Sequence, residues 1–396
     1  MRIGMILDKP FPPDPRVENE AISLIKKGHK VFLFSLMDSD EKKNEVIKGI
    51  EVRRYKSSNL IYKLSALVYS LPFYSLIMEK KINHFLVSNK IEIIHIHDIQ
   101  IADAVLKSNK KLQLKTILDL HENRPEIMKF YPHLTKFPGK FLISPKIWKQ
   151  KEEEFINKVT NTIVVTEESK NEIVKRTGKQ SKSIVVVPNT VHKDFYNKAV
   201  IQNNIIEKYI NNFVILYIGD TGLRRGLTTA IKSISVLKNN IKNIKLVIVG
   251  SNTSDKILKK QVKDLGIQDF VDFEGWQNEK LFPSFIKVSS ICISPLHRNL
   301  HHDTTYANKI FQYMSFSKPV LVSNAAAQKN VIERTNSGLV HLEKNAEDFS
   351  EKVMQLYVDK KLRDTFGENG KRFVEEEFNW GKTSEKLIEL YDNLDT

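Results

Sequence analysis

The residues best suited to chemistry fall in two loops and at a few strand ends. The first loop is Gly219-Asp220-Thr221-Gly222-Leu223-Arg224-Arg225-Gly226. A glycine-rich turn lets a phosphate approach the backbone, and arginine grips it through two parallel N–H groups. Gly222, Arg224 and Arg225 are its candidate ligands, with a capped surface turn as the alternative. The Gly-Lys-Ser/Thr ending of a Walker loop is missing. The second loop runs from His297 to Asn308 and is rich in His, Asp and Thr. It follows the apolar run Ile291–Pro295 and precedes Ile310, Phe311, Met314 and Phe316, which have helical spacing. In an open parallel sheet, ligands bind where a strand ends and the next helix begins, and an anion is favoured there. Asn308 and Lys309, in the first helical turn, supply side-chain donors. An ordinary connection that binds nothing is the other reading.

Histidines close two further apolar runs, as His95-Ile96-His97-Asp98 and as Asp119-Leu120-His121-Glu122. Polar clusters at strand ends make His97 and Asp98 candidates for a site. His95 and His97 alternate along a strand with no obvious third ligand, so no metal is expected. Arg16, at the start of a helix, either reaches a substrate phosphate or forms a surface salt bridge. No pair of carboxylates at glycosidase spacing stands out.

These residues are positioned by two successive series of strands and helices. Residues 2–7, 31–36, 91–97, 116–120, 163–165 and 184–187 read as strands of the first series. Residues 213–218, 246–249, 291–294 and 320–322 read as strands of the second, with 338–396 mainly helical. The Asn-rich stretch 190–212 reads as the interdomain linker. A length of 396 residues suits two domains. The single cysteine, Cys292, lies in an apolar run and reads as core; a disulfide framework is excluded, and a reducing cytoplasm is expected. Met1–Leu7 is too short for a signal peptide, and no run approaches the roughly 18 apolar residues of a membrane span.

The net charge of +15 favours polyanions. No zinc spacing, aromatic RNA-binding signature or dominant basic helix accompanies it, so nucleic acid is not the expected partner. Residues 59–88 carry Leu60, Ile61, Leu64, Leu67, Leu71, Phe73 and Leu76, flanked by Arg53, Arg54, Lys56, Lys63, Lys80 and Lys81. Residues 123–160 interleave Lys129, Lys136, Lys140 and Lys146 with Phe130, Phe137, Phe141 and Trp148. Both mixtures suit an anionic membrane surface, with a buried helix as the alternative for the first; the second also suits an acceptor-binding surface, with single-stranded nucleic acid as its other use.

The second loop and its helix resemble the donor-sugar region of retaining, nucleotide-sugar-dependent glycosyltransferases of family 4. The carriers are Asp303-Thr304-Thr305-Tyr306-Ala307-Asn308-Lys309, Gln312-Tyr313-Met314 and Pro319-Val320. Members commonly carry a pair of glutamates here; the matching positions are Thr304 and Gln312. In the first loop, Arg225-Gly226 matches the family's Lys-Gly, while Asp220 replaces an arginine for which Arg224 is the candidate substitute. Phe270–Trp276 resembles the loop beside the nucleobase, where Trp276 stacks or packs. His121 matches the family's histidine beside the transferring sugar.

The resemblance implies an α/β GT-B fold: two Rossmann-like domains facing across a cleft, with the last helix crossing back. The expected ranges are 1–190 for the acceptor domain, 191–378 for the donor domain and 379–396 for that helix. It implies His121, Arg225 and Lys309 as catalytic residues. Gly222, Arg224, Trp276, Thr304, Thr305, Tyr306, Ala307, Asn308 and Gln312 follow as donor contacts, and Arg16, His97 and Asp98 as the acceptor side. It implies no metal or other cofactor. The expected activity is transfer of a sugar from a nucleoside diphosphate-sugar to a glycan or lipid-linked acceptor of a bacterial surface polysaccharide. The expected location is cytoplasmic, on the inner face of the membrane. A sugar-nucleotide epimerase and a non-catalytic nucleotide-sugar-binding protein are the alternatives.

Overall fold

The computed structural model describes residues 1–37, 42–58, 61, 64–131, 134, 137 and 139–395. Leu60, Lys63 and Lys136 lie outside the described residues, as does the side chain of Lys140. The chain divides into two compact units, Met1–Pro188 with Thr383–Thr396, and Asn189–Lys382.

The first unit is built on β1 (Arg2–Ile6), β2 (Lys30–Met37), β3 (Asn44–Ile47), β4 (Ile50–Lys56), β5 (Ile93–His97), β6 (Lys115–Asp119), β7 (Asn161–Val164) and β8 (Ile184–Val186). They form one sheet in the order β3-β4-β2-β1-β5-β6-β7-β8. Every neighbouring pair is parallel except β3 with β4. The strand order reverses between β1 and β5, which is where such sheets open a crevice. The helix Pro15–Lys26 starts where the sequence specifies it. Pro15 needs no amide partner at the first helical position, and the Asp14 side chain accepts from Val17 N at 3.1 Å.

The β3–β4 hairpin is not apparent from periodicity. Its turn places Lys48 at φ 51° and Gly49 at φ 87°, the left-handed pair that suits the twist of a two-residue hairpin. This removes Arg53 and Arg54 from the basic flank of the apolar segment. Arg53 lies over the Phe32 ring, and buried Arg54 donates to Phe11 O and to Glu45. The helix Phe73–Ser88 turns Tyr74, Met78, Ile82 and Phe85 into the core while Phe73 and Leu76 stay exposed. The terminal helix Trp380–Asp395 belongs to this unit from Thr383 onward. Leu387 and Tyr391 are fully buried, and the Tyr391 hydroxyl meets His95 Nδ1 at 2.9 Å.

The second unit holds β9 (Phe213–Ile218), β10 (Ile244–Val249), β11 (Val271–Gly275), β12 (Ile291–Ser294), β13 (Val320–Ser323) and β14 (Gly338–His341). Their order is β11-β10-β9-β12-β13-β14, all parallel. This is a Rossmann order, with its switch point between β9 and β12. Leu216 and Ile218 pack into one face's core, Ile215 and Tyr217 into the other's, as a sheet covered on both faces requires. Cys292 is buried in the first of these cores, and burial pushes its thiol up to about 12. No helix among the described residues is long and apolar enough to cross a membrane.

Two expectations change here. The stretch 190–212 is not a bare linker: it forms helices Lys193–Asn197 and Asn203–Tyr209 and buries Val191, Ile205 and Tyr209 in the second unit. The stretch 338–396 begins with edge strand β14, disguised by its glycine. A Cβ on Gly338 would stand 1.8 Å from Val320 O, so only glycine allows β13 and β14 to pair at this register.

Candidate active site

In the second unit, the loops after β9 and β12 meet at the switch point. Gly226 makes this approach possible: its φ is +78°, and a Cβ would stand 1.7 Å from Pro295 O. The turn is tied further by His297 N donating to Arg224 O at 3.0 Å. Asp220 organises the interior of the turn. Its carboxylate accepts from Gly222 N at 3.2 Å, from Arg225 Nε at 3.2 Å and from Asn252 Nδ2, and lies 3.5 Å from an Arg224 nitrogen. Burial alone would raise its pKa, but Asn252 and Arg225 bring it below the usual carboxylate value.

Lys309 completes a cationic cluster. Its ammonium is buried without a hydrogen-bond acceptor among the described residues and stands 3.6 Å from the centroid of the Tyr217 ring. Burial, then the repulsion of Arg225, push its pKa well below the ordinary lysine range. A buried cation without a hydrogen-bonded counter-ion is costly. An anion placed here relieves that cost and gains Arg225 and Arg224 as further donors. The helix Lys309–Met314 has only six residues, so side-chain charge rather than helix dipole carries the attraction.

In the first unit the polar side chains gather around Asp119. Arg16 Nε and NH2 donate to its two oxygens at 2.8 and 2.7 Å, Arg16 NH1 donates to Val187 O at 2.9 Å, and Glu20 Oε1 lies 3.1 Å from Arg16 NH2. His121 Nε2 meets Asp119 Oδ2 at 3.0 Å, and its Nδ1 lies 3.8 Å from Asp98 Oδ2. Burial alone would lower the His121 pKa, but the two carboxylates raise it to about 9, so it is an imidazolium at neutral pH. His97 is the opposite case. It is fully buried, stacked on His95 at 4.5 Å, and driven down to about 3, chiefly by burial and then by His95. Asp98 adopts φ +65° where β5 ends, a conformation that costs a non-glycine residue energy and is concentrated at functional sites.

The match to known protein families follows these two halves. The model "Glycosyltransferase Family 4" matches residues 16–195, and "Glycosyl transferases group 1" matches residues 201–373. The chain belongs to the GT4-type glycosyltransferases. It is 23% identical over 247 residues to the capsular polysaccharide biosynthesis glycosyltransferase CapM of Staphylococcus aureus, covering 59% of this chain and 62% of that one. The match thus spans less than two thirds of that relative. Sucrose-phosphate synthase from Thermosynechococcus elongatus superposes with a TM-score of 0.76 at 15% identity, over 99% of this chain and 98% of the other. Anabaena Alr3699/HepE, solved in complex with UDP and glucose, superposes at 0.72 and 13% identity, over 99% and 100%. These likenesses show the GT-B fold.

Of the expected donor residues, Arg224, Arg225 and Lys309 gather around Asp220 beside the β9–β12 switch point, while the Gly222 amide is given to the Asp220 carboxylate. Several of the other expected donor residues have partners of their own. Thr304 Oγ1 donates to Leu300 O at 2.7 Å. Tyr306 packs edge-on against Phe311 and Phe378. Gln312 Nε2 faces Glu279 at 3.5 Å. Thr305 Oγ1 donates to His301 O, while Ala307 is buried and Asn308 is exposed just before the helix. Trp276 is 74% exposed after Gly275, which takes φ +67°, so the core-packing reading of this indole does not hold.

Two acceptor-side expectations are corrected. Arg16 is neither a surface ion pair nor free to meet a phosphate, because its guanidinium is spent on Asp119, Glu20 and Val187. His97 is sealed beneath His121 and meets no solvent. The search for a third ligand beside His95 and His97 also ends differently. Ligand atoms of Glu20, His95, His97 and Asp119 all lie within 4.8 Å of one another, brought together by the fold from distant positions. Arg16 already holds both Asp119 oxygens and supplies positive charge at that centre. In the sequence, His302, Asn252 and Tyr217 have no evident role: His302 is one of several polar residues in the loop after β12, Asn252 lies in the loop after β10, and Tyr217 lies inside an apolar run.

Proposed function

We propose that this glycosyltransferase takes its sugar from a nucleoside diphosphate-sugar, retains the anomeric configuration, and passes the sugar to a glycan or lipid-linked acceptor in surface polysaccharide synthesis. The carrying observation is the buried Lys309 ammonium beside Arg224 and Arg225, at the switch point of a Rossmann sheet. The bond between anomeric carbon and diphosphate oxygen breaks, and its electron pair stays on the phosphate. Arg225 and Lys309 stabilise that charge where it develops. The acceptor hydroxyl attacks from the same face and gives its proton to the departing oxygen, so no protein nucleophile is needed. His121, a fixed imidazolium, serves as a donor to sugar or acceptor oxygens rather than as a base. Solved structures of similar fold that hold UDP and the capsular relative support this reading.

The test is to incubate the protein with UDP-, GDP- and ADP-sugars, with and without lipid-linked glycan acceptors. Nucleoside diphosphate released only with acceptor supports transfer. Release from no donor under any acceptor would refute the donor assignment.

An anionic membrane surface is the second partner proposed. Phe137 and Phe141 are 83% and 78% exposed, and Leu142 and Lys146 beside them are exposed as well. An apolar surface with basic neighbours suits the bilayer interface. Co-sedimentation with phosphatidylglycerol vesicles, lost in F137S/F141S, is the expected result; equal sedimentation of the variant would exclude this surface.

A further inference from the structure

We propose that His302 is a positioning residue of the donor site, holding the Arg224 guanidinium through one fixed, neutral tautomer. The inference rests on the donor reading above and extends it to a residue that makes no contact with the nucleotide.

The ring of His302 is buried between two partners that demand opposite roles. Its Nδ1 lies 2.7 Å from His297 O, a pure acceptor, so Nδ1 carries the hydrogen. Its Nε2 lies 2.9 Å from Arg224 NH1, a pure donor, so Nε2 must accept. Asn299 Nδ2 also lies 3.0 Å from Nδ1, but it donates to His297 O at 3.1 Å. Because Arg224 makes Nε2 an acceptor, the neutral ring carries its one hydrogen on Nδ1, and no place is left for a second proton. An imidazolium would aim an N–H at a guanidinium. The surroundings agree: burial first, and the charges of Arg225, Arg224 and Lys309 after it, drive the ring down to about 3, against the bond to His297 O.

The ring is itself held in place. Asn299 Oδ1 accepts from His302 N at 3.0 Å, and Asn299 Nδ2 donates to His297 O at 3.1 Å. The loop after β12 therefore presents a preset acceptor to the turn after β9. Arg224 is pinned from one side by neutral His302 and faces Asp220 at 3.5 Å on the other. A neutral acceptor is the suitable anchor. It orients the guanidinium without cancelling the charge that a diphosphate must meet, whereas a second carboxylate would compete with the phosphate. Preorganisation of this kind improves donor affinity by removing the ordering cost of a long side chain.

The experiment is a double-mutant cycle on binding of UDP, GDP and ADP by titration calorimetry, with melting temperatures as a fold control. Using the nucleotide that the wild type binds, His302→Leu is expected to weaken binding about tenfold, the scale of one hydrogen bond to a charged group. Arg224→Ala should weaken it by a similar factor, and the double variant should be no worse than Arg224→Ala alone. His302→Gln keeps an acceptor near the Nε2 position and should bind better than His302→Asn, which keeps only the contact toward His297. Losses that multiply in the double variant, or equal binding by the Gln and Asn variants, would overturn the proposal. So would unchanged binding by a folded His302→Leu variant. If Lys309→Ala and Arg225→Ala leave nucleotide binding untouched, the donor reading fails and this inference falls with it. If they weaken binding while His302→Leu does not, only this inference fails.

Discussion

The Nζ of Lys309 stands 3.6 Å from the centroid of the Tyr217 ring. The aromatic face is the partner that this buried ammonium has been given, and it is a weak one, worth roughly 0.5–2 kcal/mol. A carboxylate in the same place would hold Lys309 more firmly but would exclude the phosphate. The arrangement keeps a cation in waiting at the end of β9, where the chain reverses its sheet order.

This predicts proton uptake on nucleotide binding. The Lys309 pKa lies well below the ordinary lysine range before binding, and a diphosphate beside it raises that pKa. Calorimetry of nucleoside diphosphate binding, in buffers of different ionisation enthalpy and across a series of pH values below the ordinary lysine range, should show net proton uptake. The uptake should be missing in Lys309→Arg. Buffer-independent heats in the wild type would contradict the environment assigned to Lys309.

His121 has a folded-state pKa raised from 6.5 to about 9. The sign follows: its ionisation stabilises the fold fully below the unfolded value and loses that contribution as pH rises through about 9. The stability gap between wild type and His121→Asn, from urea titrations, should therefore be widest near pH 6 and shrink by pH 10. A gap that widens with pH would show that the imidazole is neutral in the fold.

Arg16 holds Asp119 by two hydrogen bonds in a solvent-free site. Arg16→Met leaves Asp119 and Glu20 with no guanidinium, and a destabilisation of about 3–5 kcal/mol is expected. Adding Asp119→Asn should recover part of it. Denaturant midpoints read both; a loss under about 1 kcal/mol would mean that the ion pair is dispensable.

Gly226→Ala puts a methyl group against Pro295 O and forces alanine to φ +78°. The left-handed backbone alone costs about 1–2 kcal/mol. Because the same contact joins the two loops proposed to hold the donor, nucleotide affinity should fall at least tenfold while the first unit's stability is unchanged. Retained affinity would show that the loops reach the nucleotide independently.

Much of this was legible in the residues because local chemistry specified it. Pro15 and Asp14 mark a helix start, the apolar runs mark the central strands, and Gly226 with Arg224 and Arg225 marks a turn suited to an anion. What stayed hidden depends on distant approach. Nothing near Arg16 announces that it ends on Asp119, and without that partner it reads as a surface charge. His95 and His97 look alone until Glu20 and Asp119 arrive from other elements. Gly338 opens a stretch that reads as mainly helical, although it is the residue that lets an edge strand pair. Tyr306 carries both an apolar ring and a polar hydroxyl, so the sequence alone could not show that its ring packs on Phe378. His302 was visible as a residue but not as a role, because its role is set by the two atoms its ring touches.

The most direct test of the central claim is the affinity for UDP, GDP and ADP of the wild type, Arg225→Ala, Lys309→Ala and His121→Ala, measured side by side. On the proposed donor reading, Arg225→Ala and Lys309→Ala should each cost about 1.5–3 kcal/mol of affinity, or roughly 10–150-fold. His121→Ala should change affinity less than threefold while abolishing most turnover. Wild-type affinity in both cation variants, or a larger loss for His121 than for either, would contradict it.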